Sequence, residues 1–134
     1  MKSDKGNVVV EFVAVAIGLL IPVVFVASGC WSVAQAHLAL RDAAVSGARG
    51  FVLSSSEAQG FSRMNAIVDD VSQSYGIEPH EVHRHLVCSN SNCVSGGTQV
   101  TINLKYAVRF SIPIYGNFDI PITDSHTEQV DEVR

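Results

Sequence analysis

The chain has 134 residues, enough for one small soluble domain with a membrane segment and too few for two folded domains. Its formal net charge is −4 and its lysines and arginines form no cluster, so the composition argues against a nucleic-acid partner. Apolar residues make up 47% of the sequence and are concentrated near the N-terminus, where the first predicted element lies.

An uncharged run over residues 12–36 predicts a membrane-spanning helix. The run has 25 residues, and about 20 apolar residues are enough to cross a bilayer. Lys2 and Lys5 precede it, so the positive-inside bias predicts a cytoplasmic N-terminus and an extracytoplasmic remainder. Pro22 is tolerated in such a helix and is expected to bend or loosen it. We assign the transmembrane helix to residues 7–36.

One acidic residue, Glu11, stands directly before this run. A carboxylate costs about 2.5–3.5 kcal/mol at the centre of a bilayer, so its presence in an apolar segment indicates a function. Gly6 precedes Glu11 by five positions, and Phe12 follows it. The spacing Gly-x-x-x-x-Glu-Phe resembles the processing site of type IV-type prepilins. It is most similar to that of the Flp pilins and TadE-like pseudopilins of tight-adherence (Tad) systems.

The resemblance implies that a prepilin peptidase cuts between Gly6 and Asn7 on the cytoplasmic face. Residues 1–6 would then be a leader, and Glu11 would be the fifth residue of the mature chain. In these families the acid pairs with the freed N-terminal amine, here that of Asn7, in a neighbouring subunit or in its own first turn. In apolar surroundings that pairing offsets the desolvation of both charges.

The function implied by the resemblance is that of a minor pilin or pseudopilin for assembly of a tight-adherence type IV-like pilus. The protein would cross the bacterial cell membrane once and could also enter the pilus. Its partners would be the prepilin peptidase and other pilin and pseudopilin subunits, which it would contact through the N-terminal helix. Flp major pilins are much shorter and lack a sheet-bearing head, so the minor class fits this length better.

Two other processing sites compete in the same segment. Ala34-Gln35-Ala36 is a small-x-small site for ordinary signal peptidase and would release a secreted domain. Cys30 follows Ala27-Ser28-Gly29, a near-lipobox with alanine where leucine is usual, and would give a lipidated extracytoplasmic binding module. A third alternative is an unprocessed membrane anchor. Glu11 favours prepilin processing after Gly6, because neither rival site requires an acid at that position.

The remainder, residues 37–134, is predicted to form an extracytoplasmic pilin-like head. The helix is expected to continue from Val8 to about Leu53, roughly 70 Å at 1.5 Å per residue. Its alanine-rich continuation indicates either bundling with other N-terminal helices or packing on its own domain. One predicted face carries apolar or small residues three or four apart: Val33, His37, Leu40, Ala44, Gly47 and Phe51.

A second helix is predicted after Ser54, which can form a capping box with Glu57, although Ser56 can also cap alone. Gly76 is expected to cap its C-terminus. The predicted apolar face, which we interpret as core, consists of Phe61, Met64, Ile67, Val68, Val71 and Tyr75.

Alternating residues from Val100 to Phe110 predict a long half-buried strand, with Val82–Cys88 as its antiparallel partner. Ile112–Asn117 is expected to turn, and a last strand to run from about Ser125 to Val133. Pro113 and Pro121 indicate edge or irregular positions. The head is therefore α+β, with a second helix and a three- or four-stranded antiparallel sheet. The TadE-like resemblance extends to residues 39–44, 100–108 and 130–134.

Cys88 and Cys93 are predicted to form a disulfide that closes a short loop in an extracytoplasmic head. Free thiols and a zinc site remain alternatives, the latter because His80, His83 and His85 lie nearby. His83 and His85 should share one face of the strand while Cys88 points to the other, which argues against zinc. The same histidines could sense pH or could simply be exposed polar residues.

Cys30 is expected to be a small buried residue of the membrane helix. The sequence contains no G-x-S-x-G, H-E-x-x-H or glycine-rich phosphate motif. We therefore expect no enzyme activity, no cofactor and no metal.

Overall fold

The computed structural model describes residues 5–112 and 116–132, with side chains from Val8 onward. The helices are α1 (Lys5–Val52) and α2 (Glu57–Ser74), followed by a short 3-10 turn (Pro79–Glu81). The strands are β1 (His83–Cys88), β2 (Gln99–Ile112) and β3 (Gly116–Gln129). They form one antiparallel sheet in the order β1-β2-β3. The predicted α+β fold is confirmed, with three strands.

Helix α1 has 48 residues and continues through Pro22, in agreement with the predicted helix from Val8 to about Leu53. Its two halves have different surroundings. Every residue over 8–28 is exposed, whereas the second half is covered by the head from about Val33 onward. The same helix is therefore exposed and apolar in its first half and the central element of a packed domain in its second half.

The small residues in the second half of α1 pack within this chain, which decides between the two interpretations of its alanine-rich face. They lie against α2 and the inner face of the sheet, together with Leu40 and Phe51, which are 1% and 0% exposed. Small side chains permit this close approach because they keep little volume between the packed elements. The buried alanines are Ala36, Ala39, Ala43, Ala44 and Ala48.

Helix α2 is capped by Ser56 alone. The Gln59 backbone N–H donates to the Ser56 hydroxyl at 3.3 Å, and the helix begins at the next residue. Ser54 lies two residues before this cap, and its hydroxyl donates to the Gly50 carbonyl at 2.9 Å. At the other end, Gly76 adopts a φ of 75° and terminates the helix as predicted.

The buried face of α2 is rotated from the predicted one. Met64 and Val68 are buried as expected, but Phe61 is 41% exposed, so its assignment to the core is wrong. Gly60 takes the central contact instead, since a Cβ there would lie 2.9 Å from the Phe51 ring. Phe61 packs on the edge of Phe51, with ring centroids 5.3 Å apart.

Tyr75, at the C-terminus of α2, also remains partly exposed, but it braces this helix end against α1. Its hydroxyl donates a hydrogen bond to the Asp42 carboxylate, which raises the pKa of the Tyr75 phenol. Arg84 makes a second brace between elements, because its guanidinium donates to Asp69 at 2.8 Å and so ties β1 to α2.

The last strand is longer than predicted. β3 begins at Gly116 rather than near Ser125 and pairs with the whole of β2, from Ile112 opposite Gly116 to Gln99 opposite Gln129. Pro121 lies inside β3, where the missing N–H is tolerated because β3 is an edge strand. Pro113 and the centre of the predicted turn lie outside the described residues.

Replacing Gly60 should test the close contact between the helices. Gly60→Leu would force a side chain into the fully buried Phe51 ring, and overpacking of this kind costs about 1–3 kcal/mol. Better helix propensity returns up to about 1 kcal/mol. We expect a net loss of roughly 1 kcal/mol in the free energy of unfolding, measured by circular dichroism of the full chain in detergent. Ala66→Leu, on the exposed side of α2, is the matched control; equal stability of the two variants would contradict the packing described.

Candidate functional site

The first half of α1 is an exposed apolar surface, which we call the apolar sleeve (residues 8–28). It has no covered side: Val8 is 65% exposed, Phe12 72%, Leu19 66% and Val26 67%. Helix α1 is long and apolar enough to cross a membrane, judged by length and composition. A continuous apolar surface of this size indicates contact with lipid or with another protein.

Glu11 is the charged residue at the N-terminal end of the apolar sleeve. Its side chain is exposed between Val10 and Phe12. Among residues 8–112 and 116–132, whose side chains the structure describes, it has no ion-pair or hydrogen-bond partner. Moving such a carboxylate into apolar surroundings is costly unless an opposite charge comes with it.

The predicted processing residues lie near the start of α1, with Gly6 and Asn7 in its first turn and Glu11 and Phe12 further along. The backbone of Gly6 and Asn7 is helical, and the structure describes side chains from Val8 onward. Asn7 and Glu11 are four residues apart, so they share one helix face. Side chains of an α-helix leave the backbone tilted toward the N-terminus, which is the direction of Asn7 from Glu11. A free amine at Asn7 would thus be within reach of Glu11.

At the other end of the apolar sleeve, the β2–β3 hairpin reaches along α1 beyond the packed head. The Phe110 ring lies 3.0 Å from where a Cβ on Gly29 would be, so glycine permits this contact. An apolar cleft of about 700 Å³ separates the hairpin from the helix. Its walls come from α1 (Phe25, Val26, Ser28, Gly29, Cys30, Val33, Ala34 and His37) and from the hairpin (Phe110, Ser111, Ile112 and Ile120).

Sequence reasoning missed the apolar hairpin end, because residues 112–117 were interpreted as a turn leading into irregular chain. Phe118 and Ile120 are 48% and 41% exposed there. The signal was present in the sequence, since Phe118, Ile120 and Ile122 alternate with polar or small residues as in an amphipathic strand.

Cys30 lines the cleft and is exposed, so the expectation of a buried cysteine is wrong. The reason is geometric: the head covers only one side of α1 at this level, and the apolar sleeve upstream has no packing partner in the described chain.

The disulfide between Cys88 and Cys93 is confirmed, with the two Cα atoms 5.4 Å apart. Two further hydrogen bonds tie the loop that it closes to the rest of the head. The Cys93 backbone N–H donates to the Glu57 carboxylate at 2.8 Å. The Asn90 side-chain amide donates to the hydroxyl of the buried Thr98 at 3.1 Å. The loop is therefore a rigid part of the head surface.

The histidines near this loop do not converge on it. His83 and His85 project from the outer face of β1, while Cys88 lies on the face toward the helices, as the strand pattern predicted. The oxidised cysteines have no thiolate to offer a metal. Within residues 5–112 and 116–132, no group of three potential ligands is placed to hold a metal ion. The suggested pH sensing by His80, His83 and His85 stays a prediction.

Comparison of the chain with protein-family models, with curated proteins and with solved structures found no match. The structure therefore assigns the protein to a class by its architecture alone. It has one N-terminal apolar helix long enough to cross a membrane, and that helix continues into an α+β head containing a disulfide.

Removing the disulfide should destabilise the head. Closure of so short a loop is worth about 2 kcal/mol in the chain-entropy model. Cys88→Ser with Cys93→Ser should lower the unfolding midpoint of the full chain in detergent, measured by circular dichroism. Cys30→Ser is the control and should leave the midpoint unchanged, because Cys30 has no disulfide partner. Equal midpoints for all three proteins would mean that the loop contributes nothing to stability.

Proposed function

We propose that this protein is a TadE-like minor pilin or pseudopilin for assembly of a tight-adherence type IV-like pilus. A prepilin peptidase removes residues 1–6, and α1 then holds the protein in the bacterial membrane with the head outside. The observation that carries the proposal is Glu11, a carboxylate on an exposed apolar helix five positions after Gly6, with no partner among the side chains described from Val8 onward.

The first step of the proposed mechanism is cleavage of the Gly6–Asn7 bond. Gly6 is the second residue of α1, where backbone N–H groups have no intrahelical partner, so the first turn opens at little cost. The peptidase needs such an opening to reach the backbone. Cleavage creates a positive amine at Asn7, one helical turn from the Glu11 carboxylate.

The second step is pairing of that amine with Glu11, in the same chain or in a neighbouring subunit. Both charges enter apolar surroundings when α1 passes from the membrane into a bundle of helices, and each alone would be strongly disfavoured there. The pairing thus selects cleaved subunits, because the amine of Asn7 exists only after the leader is removed. The uncharged remainder of the apolar sleeve supplies the contact area between helices.

The head supports the minor rather than the major class. It consists of a second helix and a three-stranded sheet, and it packs on α1 from about Val33 onward. The Flp major pilins that share the Gly-to-Glu spacing are much shorter and have no such head. A head of this size suits a subunit that acts at one place in the assembly.

A second candidate, a lipidated binding module, is favoured by the exposure of Cys30 and by the rigid Cys88–Cys93 loop. Lipidation at Cys30 would remove the apolar sleeve and leave the packed part of α1, from Val33 onward, attached to the head. The loop would then be the recognition surface.

Intact-mass measurement of the protein purified from bacterial membranes separates these candidates. We expect the loss of residues 1–6 and a chain that begins at Asn7. Gly6→Leu should keep the full length because the cleavage site is lost, and Gly18→Leu, where a new side chain has open space, should be processed normally. An acylated chain beginning at Cys30 would establish the lipidated module instead. A chain beginning at His37 would establish a secreted domain.

Glu11→Ala should impair pilus assembly while the head still folds. Removing one partner of a buried charge pair costs about 3–5 kcal/mol, because the amine of Asn7 would be left unpaired among apolar helices. Surface fibres are counted by electron microscopy, and head folding is followed by circular dichroism. Val10→Ala, the adjacent exposed position, is the matched control and should assemble normally. Normal numbers of fibres with Glu11→Ala would overturn the proposed role of this carboxylate.

A further inference from the structure

The C-terminal end of the apolar sleeve has a feature that the proposed pilin function does not use, an apolar cleft beside the β2–β3 hairpin. The β2–β3 hairpin extends past the packed head and leaves apolar side chains uncovered beside α1. Ile112 is 39% exposed, Phe118 48% and Ile120 41%. Ile112 and Ile120 line the cleft of about 700 Å³, and Phe118 lies on the same face of β3 as Ile120. A cleft of this volume is within the range of ligand sites, about 300–1,000 Å³.

The hairpin end is amphipathic. Phe110 pairs directly with Phe118, so the two rings lie on the face toward α1. Arg109 pairs with Asp119 on the opposite face, and the Arg109 guanidinium binds the Glu81 carboxylate at 3.1 Å. One side of the hairpin is therefore suited to an apolar medium and the other to water.

The hairpin end also lies at a defined depth along α1. Phe110 contacts α1 at Gly29, and the helix rises about 26 Å from Phe12 to Gly29 at 1.5 Å per residue. The hydrocarbon core of a bilayer is about 30 Å thick, so a core that begins at Phe12 ends near Trp31. Trp31 is 66% exposed, and tryptophan is typical of the boundary between lipid and water.

We propose that the paired hairpin segments Phe110–Ile112 and Gly116–Ile120 are immersed in the outer boundary of the membrane, and that a phospholipid acyl chain occupies the cleft between the hairpin and α1. This inference rests on the membrane-spanning placement of α1 proposed above. The cleft is continuous with the apolar sleeve, so the medium that surrounds the sleeve also enters the cleft. Arg109 and Asp119 face the head groups and water, and Phe118 and Ile120 face the acyl chains.

Immersion of the hairpin restricts the orientation of the head at the membrane surface. With α1 alone as anchor, the head could tilt about the helix at the membrane surface. A second apolar contact through the hairpin holds the sheet at a fixed depth and orientation. The head of the membrane-bound subunit is thereby held down on the membrane surface, and leaving the membrane requires loss of the hairpin contact as well as withdrawal of α1.

Fluorescence quenching by brominated lipid tests the proposal on the full chain. The protein is reconstituted into phosphatidylcholine vesicles whose acyl chains carry bromine near the head group. Trp31 is the single native tryptophan and reports the depth of α1. Phe118→Trp in a Trp31→Phe background reports the hairpin end. Val87→Trp in the same background is the matched control, because Val87 is 45% exposed and pairs with Thr101, about 30 Å along β2 from Phe110.

We expect the tryptophan introduced by Phe118→Trp to lose its emission to the same extent as native Trp31, and the one introduced by Val87→Trp to keep its emission. Quenching of Trp31 without quenching in the Phe118→Trp protein would overturn the inference and leave the placement of α1 intact. Absence of quenching at Trp31 would overturn that placement as well.

A second copy of the chain is the other possible occupant of the cleft, and the same vesicles report it. Two copies seated there would bring their Cys30 thiols together, since Cys30 lines the cleft. Oxidative formation of a Cys30-linked dimer, with no quenching in the Phe118→Trp protein, would assign the cleft to protein and overturn the lipid proposal. Ile120→Trp, on the same face of β3, replaces Phe118→Trp if the latter does not fold.

Discussion

The structure depends on one constraint: α1 is a single unbroken helix that must satisfy two different environments. Its first half presents apolar side chains on every side, and its second half is the central element against which α2 and the sheet pack. Because the helix is continuous, the head cannot be placed independently of the apolar sleeve. The helix therefore fixes the relative positions of Glu11, Trp31 and the hairpin along its axis.

The head packs on α1 mainly through small residues, which surround the two large buried side chains of Leu40 and Phe51. Ala44 and Ala48 are fully buried, and Gly60 of α2 lies against the ring of Phe51. Close backbone approach puts many atoms in contact without bulky side chains. The disulfide and the Arg84–Asp69 pair then secure the parts of the head farthest from α1, where a domain this small has little core of its own.

The proposed function and the proposed lipid contact use opposite ends of the same apolar surface. At one end, Glu11 is costly in an apolar environment until an amine pairs with it, so the proposal makes assembly conditional on cleavage. At the other end, the proposed lipid contact of the hairpin would hold the head against the membrane until the subunit leaves. The two proposals together describe a membrane-bound subunit that acquires the charge pair for helix bundling only after processing.

Local patterns in the sequence were sufficient to predict many of the structural elements and their boundaries. The uncharged run, the Gly6-to-Glu11 spacing, a serine cap at either Ser54 or Ser56, the end of α2 at Gly76 and the alternation of β2 depend on neighbouring residues, and such signals act within a few positions. The exposure of Phe61 and Cys30, the early start of β3 and the cleft at Gly29 depend on which surfaces meet. Only the tertiary structure decided them, because a side chain is buried or free according to partners that are distant in sequence.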